Sequence, residues 1–461
     1  MPAPKTAHRK PIQSKTIQLK AIQPKTIHPK TAARRAALKI LVALESGDII
    51  FPQALNTHLP TCPPETRPLV RELASGVLRH RARLDWTLAP LLKKPLPKLD
   101  APVRAALRLA AYERIMLKTH APVVGNEYSG LMKTERLLSA VAFVNAVTRR
   151  LPETPRDSPN VKDAVAHLAT EYSHPVWLVE RWLARFGFEE CAALLAANNC
   201  IAPLSLRVNT LRTSREEILE SLQARELKAK AGVLAPDCIL VESAGDPTNW
   251  PEWKDGKIIA QDEAAQLVSI FANPQPGQII IDGASAPGGK STHMAQLMNN
   301  AGKILACDVG EGRLKLVREN ASRLGIKIVE TRAGDLREMA SNLKTERQAE
   351  LPPADLVLLD APCLGTGTLR RRPDSKWNKT PQQLKQLVGL QRELLESAAS
   401  LVCSGGVLVY STCSLEPEEN ENQIALWLER HADWQVEMRS TLPHRDNCDG
   451  MFAARLTKPK A

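Results

Sequence analysis

Two cysteines of this chain lie in polar, turn-rich segments that directly follow apolar runs. Cys363 belongs to DAPCLGTGT (360–368), after DLVLLD (355–360), and Cys413 belongs to STCS (411–414), after VLVYS (407–411). An isolated cysteine is usually a small core hydrophobe. A thiol in a polar segment past a strand end is better placed to act as a nucleophile. We therefore predict that these two cysteines are catalytic and that the other seven serve packing or are incidental.

A loop of small residues, DGASAPGGKS (282–291), follows another apolar run and allows a ligand to approach the backbone closely. Three ligands compete for it. A dinucleotide requires G-x-G-x-x-G, which is absent. A nucleoside triphosphate requires G-x-x-x-x-G-K-[ST]; the segment GKS (289–291) fits, but Ala284 stands where the first glycine belongs. S-adenosylmethionine carries no phosphate and needs only close backbone approach and carboxylates for its hydroxyls.

Three acids lie at or just past strand ends, where such carboxylates are needed. Asp308 ends the second predicted strand, a position from which an acid accepts ribose hydroxyls. Asp335 follows the third strand and is placed to meet the adenine amine, and Asp360 ends the fourth. Any one of them alone is typical of a surface or capping residue. Together they favour S-adenosylmethionine, while the triphosphate reading stays open.

A thiolate beside a methyl donor suits methylation of a pyrimidine at carbon 5. Carbon 5 of cytosine is too weak a nucleophile to attack a sulfonium methyl group. A thiolate that adds at carbon 6 turns the ring into an enamine, whose carbon 5 can then attack. A carboxyl group near ring N3 stabilises the adduct, and a base later removes the carbon-5 proton so that the thiol is released. The target base must leave its stack or already be unpaired.

The elements that position these residues follow an alternating rhythm of strand and helix from residue 271 onward. Short apolar runs at 278–282, 303–308, 326–331, 355–360 and 407–411 predict a parallel, doubly wound, Rossmann-like sheet over 271–461, with its site at the carboxyl ends of the strands. Residues 34–155 show helical periodicity only and predict an all-α domain, followed by a linker at 156–164.

Residues 165–270 predict a small α/β module that binds RNA. Apolar and polar residues alternate over 204–209, which is typical of a strand. Arg207 and Asn209 lie on its polar face and could contact phosphate or base, although a solvated face is an equal alternative. Basic residues also follow the Cys363 loop. Arg370, Arg371, Arg372 and Lys376, with Trp377, could grip phosphates and stack a base, and the alternative is a solvated loop with a core tryptophan.

Composition narrows the class of protein. The chain has 461 residues and a net charge of +12, and its first 35 residues hold nine basic residues and no acid. Residues 1–33 therefore predict a disordered basic tail, which could be an RNA-touching arm, a solvated leader or a transit peptide. The start lacks an apolar signal segment, and no run suits a membrane span. Nine cysteines without C-x-x-C favour a reducing cytoplasm and disfavour a zinc site.

The motifs APGGK (286–290), DAPCLGTG (360–367) and STCS (411–414) in this order resemble the RNA 5-methylcytosine methyltransferases of the NOL1/NOP2/Sun family. The helical region resembles the NusB RNA-binding fold through FVNAV (143–147) and the basic pair after it. The segments 173–182, 206–210 and 261–266 resemble bacterial members that modify ribosomal RNA. The resemblance implies methylation of a cytosine in small-subunit (16S) ribosomal RNA, either free or in an immature subunit, by a monomeric enzyme.

The resemblance also assigns roles. It implies that Cys413 is the nucleophile, that Cys363 serves product release and that Asp360 orients the cytosine. It places S-adenosylmethionine against the two acids Asp308 and Asp335, against Asp360, and against the loop residues Ala284, Ser285, Ala286, Pro287, Gly288, Gly289 and Lys290. The family commonly has a cysteine where this chain has Ala284; another small residue preserves the backbone contacts.

Two alternatives stay open. DNA cytosine methyltransferases use a Pro-Cys nucleophile, so Cys363 rivals Cys413 for that role. An RNA-binding or assembly protein with an inactive methyltransferase fold is the other class, although such a protein need not keep both cysteines and all three acids.

Overall fold

The computed structural model describes residues 29–47, 49–242, 245–345 and 353–460. The predicted basic tail falls mostly outside this part of the chain. Residues 29–33, which the sequence assigned to the tail, instead begin the first helix, because Ala33 packs into the core at 0% exposure. Within the described residues, no helix is long and apolar enough to cross a lipid bilayer.

The predicted all-α domain is a bundle around one aliphatic core. One stripe of its fifth helix is buried in this core, with Val103 at 5% and Leu107 and Ala110 at 0% exposure. A buried ion pair between Arg34 and Glu113, 2.8 Å apart, joins two of its helices. The seven α-helices of the bundle are α1 (Pro29–Glu45), α2 (Phe51–His58), α3 (Arg67–Arg79), α4 (Arg81–Leu88), α5 (Ala101–Ile115), α6 (Ala121–Thr134) and α7 (Leu138–Thr148).

Residues 151–163 have no helix or strand and lie against the bundle. Trp86 donates its indole N–H to the carbonyl of Asp157 at 2.8 Å, so the predicted linker is packed in place. Asp163 then caps the next helix by accepting from the backbone N–H of Ala166. Three helices follow: α8 (Ala164–Glu171), α9 (Val176–Phe186) and α10 (Phe188–Asn199).

The predicted α/β module contains a small antiparallel sheet in the order β2-β3-β1-β4. The alternation over 204–209 forms β1, whose Leu206 and Val208 are fully buried in the module's core. Ser214 caps the following helix, because its hydroxyl accepts the backbone N–H of Glu217. The elements are β1 (Leu204–Val208), α11 (Arg215–Ala224), β2 (Ala229–Ala231), β3 (Cys238–Val241), α12 (Pro251–Lys254), β4 (Ile258–Ala260) and α13 (Glu263–Ala272).

The last part of the chain forms a seven-stranded, mostly parallel sheet in the order β10-β11-β9-β8-β5-β6-β7, which confirms the Rossmann-like prediction. The third strand lies later than predicted, and the antiparallel strands β10 and β11 were not predicted. The elements are β5 (Ile279–Asp282), α14 (Gly289–Leu297), β6 (Lys303–Asp308), α15 (Glu311–Leu324), β7 (Val329–Ala333), α16 (Leu336–Thr345), β8 (Ala354–Asp360), α17 (Ser375–Asn378), α18 (Pro381–Ser400), β9 (Val402–Thr412), α19 (Glu421–Leu428), β10 (Gln435–Thr441), α20 (Pro443–Asp446) and β11 (Met451–Thr457).

Strand order explains why the site residues meet. From β5 the strand order runs outward in one direction through β6 and β7 and in the other direction through β8 and β9. Ligands of open α/β sheets bind at this switch point between β5 and β8. β5 pairs with both β6 and β8, and β8 pairs with β9 so that Asp360 lies opposite Ser411. The carboxyl ends of four neighbouring strands therefore present the glycine-rich loop, Asp308, Asp360 and Cys413 at one edge.

Candidate active site

The glycine-rich loop between β5 and α14 is held against the end of β6. Asp308 is 3% exposed and accepts the backbone N–H of Ala286 at 3.3 Å and that of Gly310 at 3.1 Å. Gly288 has φ +95°, and a Cβ added there would lie 3.1 Å from Val317 of α15. The turn therefore requires glycine, and it brings the loop backbone close to the Asp308 carboxylate.

Asp282, at the end of β5, is a buried acid that sequence reasoning did not assign to the site. Its Oδ2 accepts the Ser291 hydroxyl at 2.6 Å. Burial raises the pKa of Asp282 to about 7, and the nearby Asp360 charge adds to the shift. Its Oδ1 and the hydroxyl of Ser285 are both buried without a hydrogen-bond partner among the described residues. These free polar atoms beside a close-approach loop fit a polar ligand such as S-adenosylmethionine.

Asp335 follows β7 at the neighbouring position of the sheet edge. Its carboxylate accepts from the Arg337 backbone N–H at 2.9 Å and pairs with the Arg337 guanidinium at 2.6 Å. This pairing lowers the pKa of Asp335, so the group is ionised at neutral pH. β7 pairs with β6, so Asp335 and Asp308 follow adjacent strands as the sequence predicts.

Lys290 links the glycine-rich loop to the end of β8. Its Nζ lies 2.6 Å from Asp360 Oδ2, and the Ser411 hydroxyl donates to Asp360 Oδ1 at 2.8 Å. Burial lowers the pKa of Lys290, but the Asp360 charge and hydrogen bond outweigh it and the net shift is upward. Lys290 therefore carries its positive charge at neutral pH. Asp360 keeps 31% of its side chain exposed, so one carboxylate is fixed by two donors and still reachable by a substrate.

The two cysteines singled out by the sequence lie in contact, with Cys363 Sγ 3.4 Å from Cys413 Sγ. Both are free thiols and partly exposed. A hydrogen bond from Cys363 lowers the pKa of Cys413, and the cations Lys290 and Lys379 act in the same direction. The same hydrogen bond, together with burial, raises the pKa of Cys363. Cys413 is therefore the thiol of the pair that loses its proton more readily, and Cys363 is the one that keeps it to higher pH.

Three residues that sequence reasoning missed surround this pair. Lys379 donates to the Leu364 carbonyl, and its Nζ and Cys413 Sγ would lie 3.6 and 3.7 Å from a Cβ added at Gly365. Glu419, fully buried, accepts the Leu364 N–H at 2.8 Å and the Gln391 amide at 2.9 Å. The available sequence signal was weak: Lys379 belongs to a basic cluster, while Glu419 and Gln391 lie in ordinary helical segments.

The predicted RNA contacts divide into buried and exposed residues. Arg207 is 0% exposed and donates to the Gly289 carbonyl and the Gln261 amide oxygen at 2.6 and 2.5 Å. Asn209 and Lys376 are each 1% exposed and bond to internal partners. These three side chains support the structure from inside, which differs from the expectation that they face RNA. Arg207 in fact buttresses the glycine-rich loop.

Arg371 and Arg372 also differ in their exposure to solvent. Arg371 pairs with Asp262 at 2.5 Å and with Asp449 at 3.0 Å, and both acids are buried. Arg370 lies in the same network, 2.9 Å from Asp449. Arg372 alone of the predicted RNA-binding residues is exposed. In the part of the chain that the structure covers, no group of histidines, cysteines and acids could hold a metal ion.

Fold and site together define a Rossmann-like methyltransferase domain preceded by a helical domain and a small α/β module. Three family models match the chain in this order: the NusB family over residues 31–152, the RsmF/B-like ferredoxin-like domain over 174–248, and the 16S rRNA methyltransferase RsmB/F over 269–457.

Known proteins match over nearly the whole chain. A probable ribosomal RNA small subunit methyltransferase B of Synechocystis is 36% identical over 89% of this chain and 95% of its own. A Bacillus subtilis protein described in the same words is 31% identical, and the match covers 93% of this chain and 99% of the Bacillus protein. The crystal structure of PH0851 has a TM-score of 0.78 at 29% identity and covers 95% of this chain and all of its own. The chain belongs to the ribosomal RNA small subunit methyltransferase B family, which confirms the resemblance found in the sequence.

Proposed function

We propose that this chain methylates carbon 5 of a cytosine in small-subunit ribosomal RNA, with S-adenosylmethionine as the methyl donor and Cys413 as the covalent nucleophile. The observation that carries the proposal is the pair of thiols 3.4 Å apart, next to Asp360 and across from the glycine-rich loop. The ribosomal RNA substrate is supported by the names of the curated relatives.

The assignment of Cys413 as nucleophile rests on its protonation state. Its lowered pKa favours the thiolate, and the nearby cations Lys290 and Lys379 oppose the cost of that charge. The thiolate adds to carbon 6 of the cytosine, and the ring electrons move toward N3. Asp360, fixed by Lys290 and Ser411, is the group that meets the polar edge of the base and orients it.

Cys363 takes the second half of the reaction. After carbon 5 has gained the methyl group, it still carries its original proton. Removal of that proton by a base and cleavage of the carbon 6–sulfur bond restore the aromatic ring and the Cys413 thiolate. Cys363 is the neighbouring thiol, 3.4 Å from Cys413, and its S–H group donates a hydrogen bond to the departing Cys413 sulfur, which stabilises the thiolate that this elimination releases.

The residues that would hold S-adenosylmethionine are those of the loop from Ala284 to Lys290, with Asp308 and Asp335 toward the nucleoside. When bound, the cofactor supplies an electrophilic methyl group. Asp308, buried at 3% exposure, is an acceptor of fixed geometry for hydroxyl groups, because two backbone N–H groups orient it. The atoms Asp282 Oδ1 and Ser285 Oγ, which have no hydrogen-bond partner among the described residues, offer further polar contacts beside the loop.

A direct assay tests the proposal. The full chain is incubated with S-adenosylmethionine and either a transcript of small-subunit ribosomal RNA or immature small subunits, and the RNA is analysed for 5-methylcytosine by bisulfite sequencing. We expect one methylated cytosine on at least one of the two substrates. Transfer to another base or another atom of cytosine would refute the covalent mechanism, and no transfer to either substrate would place the chain among RNA-binding proteins without activity.

A further inference from the structure

A cleft of about 330 Å³ lies at the junction between the helical bundle and the catalytic domain. Its bundle side carries three arginines, Arg81 at the start of α4 and Arg104 and Arg108 on α5. Its catalytic side is formed by Asp374, Trp377 and Asn378, in the segment that follows the Cys363 loop. The residues that line the cleft include neither the glycine-rich loop nor the cysteine pair.

The three arginines differ in their partners. Arg108 makes a two-point pair with Asp85, both contacts at 2.8 Å, and Arg104 pairs with Glu45 through Nε at 3.0 Å. Arg81 has no carboxylate within ion-pairing distance among the described residues, and its guanidinium lies 5.1 Å from the centre of the Trp377 ring. Burial and the nearby charge of Arg108 lower the pKa of Arg81, and they outweigh the charges of Asp85 and Glu45, which raise it. A half-buried guanidinium in this setting gains from an anion that it can bind.

Two acids line the cleft beside these arginines, and among the described residues neither forms a direct ion pair with Arg81. Glu45 is occupied by Arg104 and by Arg108, whose Nη1 lies 3.1 Å from it. Asp374 accepts the backbone N–H of Phe51 at 3.1 Å and is 6% exposed, so its side chain has little contact with solvent. Trp377 is fixed by donating its indole N–H to the Leu78 carbonyl at 2.7 Å. The Arg81–Trp377 face is thus preformed before a ligand arrives.

The cleft continues toward the catalytic cysteines. A second cavity of about 430 Å³ is lined by Cys363 and Lys379, and it shares Asp374 and Asn378 with the cleft. A nucleic-acid strand with its base at Cys363 would therefore pass Asn378, which is exposed, and reach Arg81. Phosphate groups along such a strand bind best to arginine, since its planar guanidinium matches their oxygens.

We propose that this cleft binds a backbone phosphate of the substrate RNA strand through Arg81, with Trp377 holding the guanidinium in place. The inference rests on the proposed function, because it assumes that the RNA strand carrying the target cytosine enters at Cys363. It assigns to the helical bundle a direct contact with the reacting strand at the domain junction.

The test is filter binding of a small-subunit ribosomal RNA transcript to the full chain over a series of salt concentrations. Arg81→Gln should weaken binding about three- to tenfold at low salt and reduce the slope of log affinity against log salt by about 0.7–0.9, the value for one phosphate contact. Arg430→Gln removes the same charge from an exposed site outside both cavities and should leave affinity and slope close to those of the wild type. Equal effects of the two substitutions would overturn the proposal.

A second variant covers the case in which Arg81→Gln fails to fold, which thermal unfolding would reveal. Asn378→Asp adds a carboxylate at an exposed position of the shared wall and should weaken RNA binding without lowering the melting temperature. Unchanged binding by a folded Asn378→Asp would contradict the strand path.

Calorimetric titration with inorganic phosphate distinguishes an RNA site from a site for free anions. Phosphate binding that Arg81→Gln abolishes while RNA binding stays intact would overturn the RNA assignment. Methylation of RNA by the wild-type chain is measured separately. If it occurs, the proposed function holds even when these binding experiments contradict the cleft proposal.

Discussion

Cys363 and Cys413 are fifty positions apart in the chain, and their sulfur atoms lie 3.4 Å apart at the ends of two neighbouring parallel strands. The hydrogen bond between them shifts their two pKa values in opposite directions, down for Cys413 and up for Cys363. One structural contact thus makes the two thiols differ in acidity, and the roles proposed for them can be tested one residue at a time.

Substitution of each cysteine should give opposite covalent behaviour. Cys413→Ala should abolish both the carbon-6 adduct and methylation, because no thiolate is left to add. Cys363→Ala should permit addition and methyl transfer but slow elimination, so that protein stays attached to RNA. A denaturing gel of each variant after incubation with RNA and S-adenosylmethionine shows the attached species as a shifted band. A shifted band with Cys413→Ala and none with Cys363→Ala would reverse the assignment.

The reactivity of Cys413 should depend on pH through its lowered pKa. The thiolate forms as pH rises, so the rate of alkylation by iodoacetamide should reach half its maximum below the ordinary thiol value of about 8.5. Cys363→Ala removes the largest cause of the shift and should move this midpoint upward. Lys379→Met should move it upward by a smaller amount, because it removes a nearby cation.

Lys385→Met serves as the control for that series, since it removes an exposed lysine of α18. Mass spectrometry of the alkylated peptides identifies which thiol has reacted. A midpoint that is the same in wild type, Cys363→Ala and Lys379→Met would show that neither neighbour stabilises the Cys413 thiolate.

Asp308→Ala should weaken binding of S-adenosylmethionine about tenfold or more, because a buried charged acceptor contributes about 1.5–3 kcal/mol to a hydrogen bond. Asp433→Ala, at an exposed site, is the matched control. Calorimetric titration of both variants with S-adenosylmethionine and with magnesium-ATP provides the measurement. Tight binding of magnesium-ATP without binding of S-adenosylmethionine would revive the triphosphate interpretation of the loop.

Asp282 should make the unfolding free energy fall as pH rises. Its pKa is about 7 in the folded protein against 3.8 ordinarily, so between these values the folded state holds a proton that the unfolded state has lost. Stability from this group is therefore present at low pH and lost as pH rises through the window, at up to about 1.4 kcal/mol per pH unit. Asp282→Asn should make the unfolding free energy depend less on pH than in the wild type, as measured by urea unfolding from pH 5 to 8. Parallel curves for both proteins would contradict the raised pKa.

Arg371 and Arg372 should have separable effects. Arg371→Ala leaves the buried Asp262 and Asp449 short of one cation and should lower the unfolding free energy by about 2–4 kcal/mol. Arg372→Ala should leave stability nearly unchanged and reduce the salt dependence of RNA binding, since Arg372 is exposed. Urea unfolding and filter binding of both variants distinguish the two roles, and a stability loss shared by both would argue against them.

Much of the site could be predicted from local sequence. Asp308, Asp360 and Cys413 each lie at the end of an apolar run, and the loop 283–289 follows another. Runs that alternate with helices form parallel strands, whose carboxyl ends must share one edge of the sheet. That rule brings these residues together without any knowledge of long-range contacts. The predictions of the bundle and of the small sheet succeed for the same reason, because helical and strand periods are local.

Tertiary structure alone decided which basic residues are available to RNA. Arg207 occupies the polar face of β1. The sequence alternation is the same whether solvent or another part of the protein covers that face. In this structure the loop at Gly289 and the side chain of Gln261 cover it. Lys376 is buried because the catalytic segment docks on the bundle, where it donates to the Arg79 carbonyl at 2.8 Å. The cleft at Arg81 arises from the same docking. Contacts between domains depend on two surfaces far apart in the chain, and no local period of either surface specifies them.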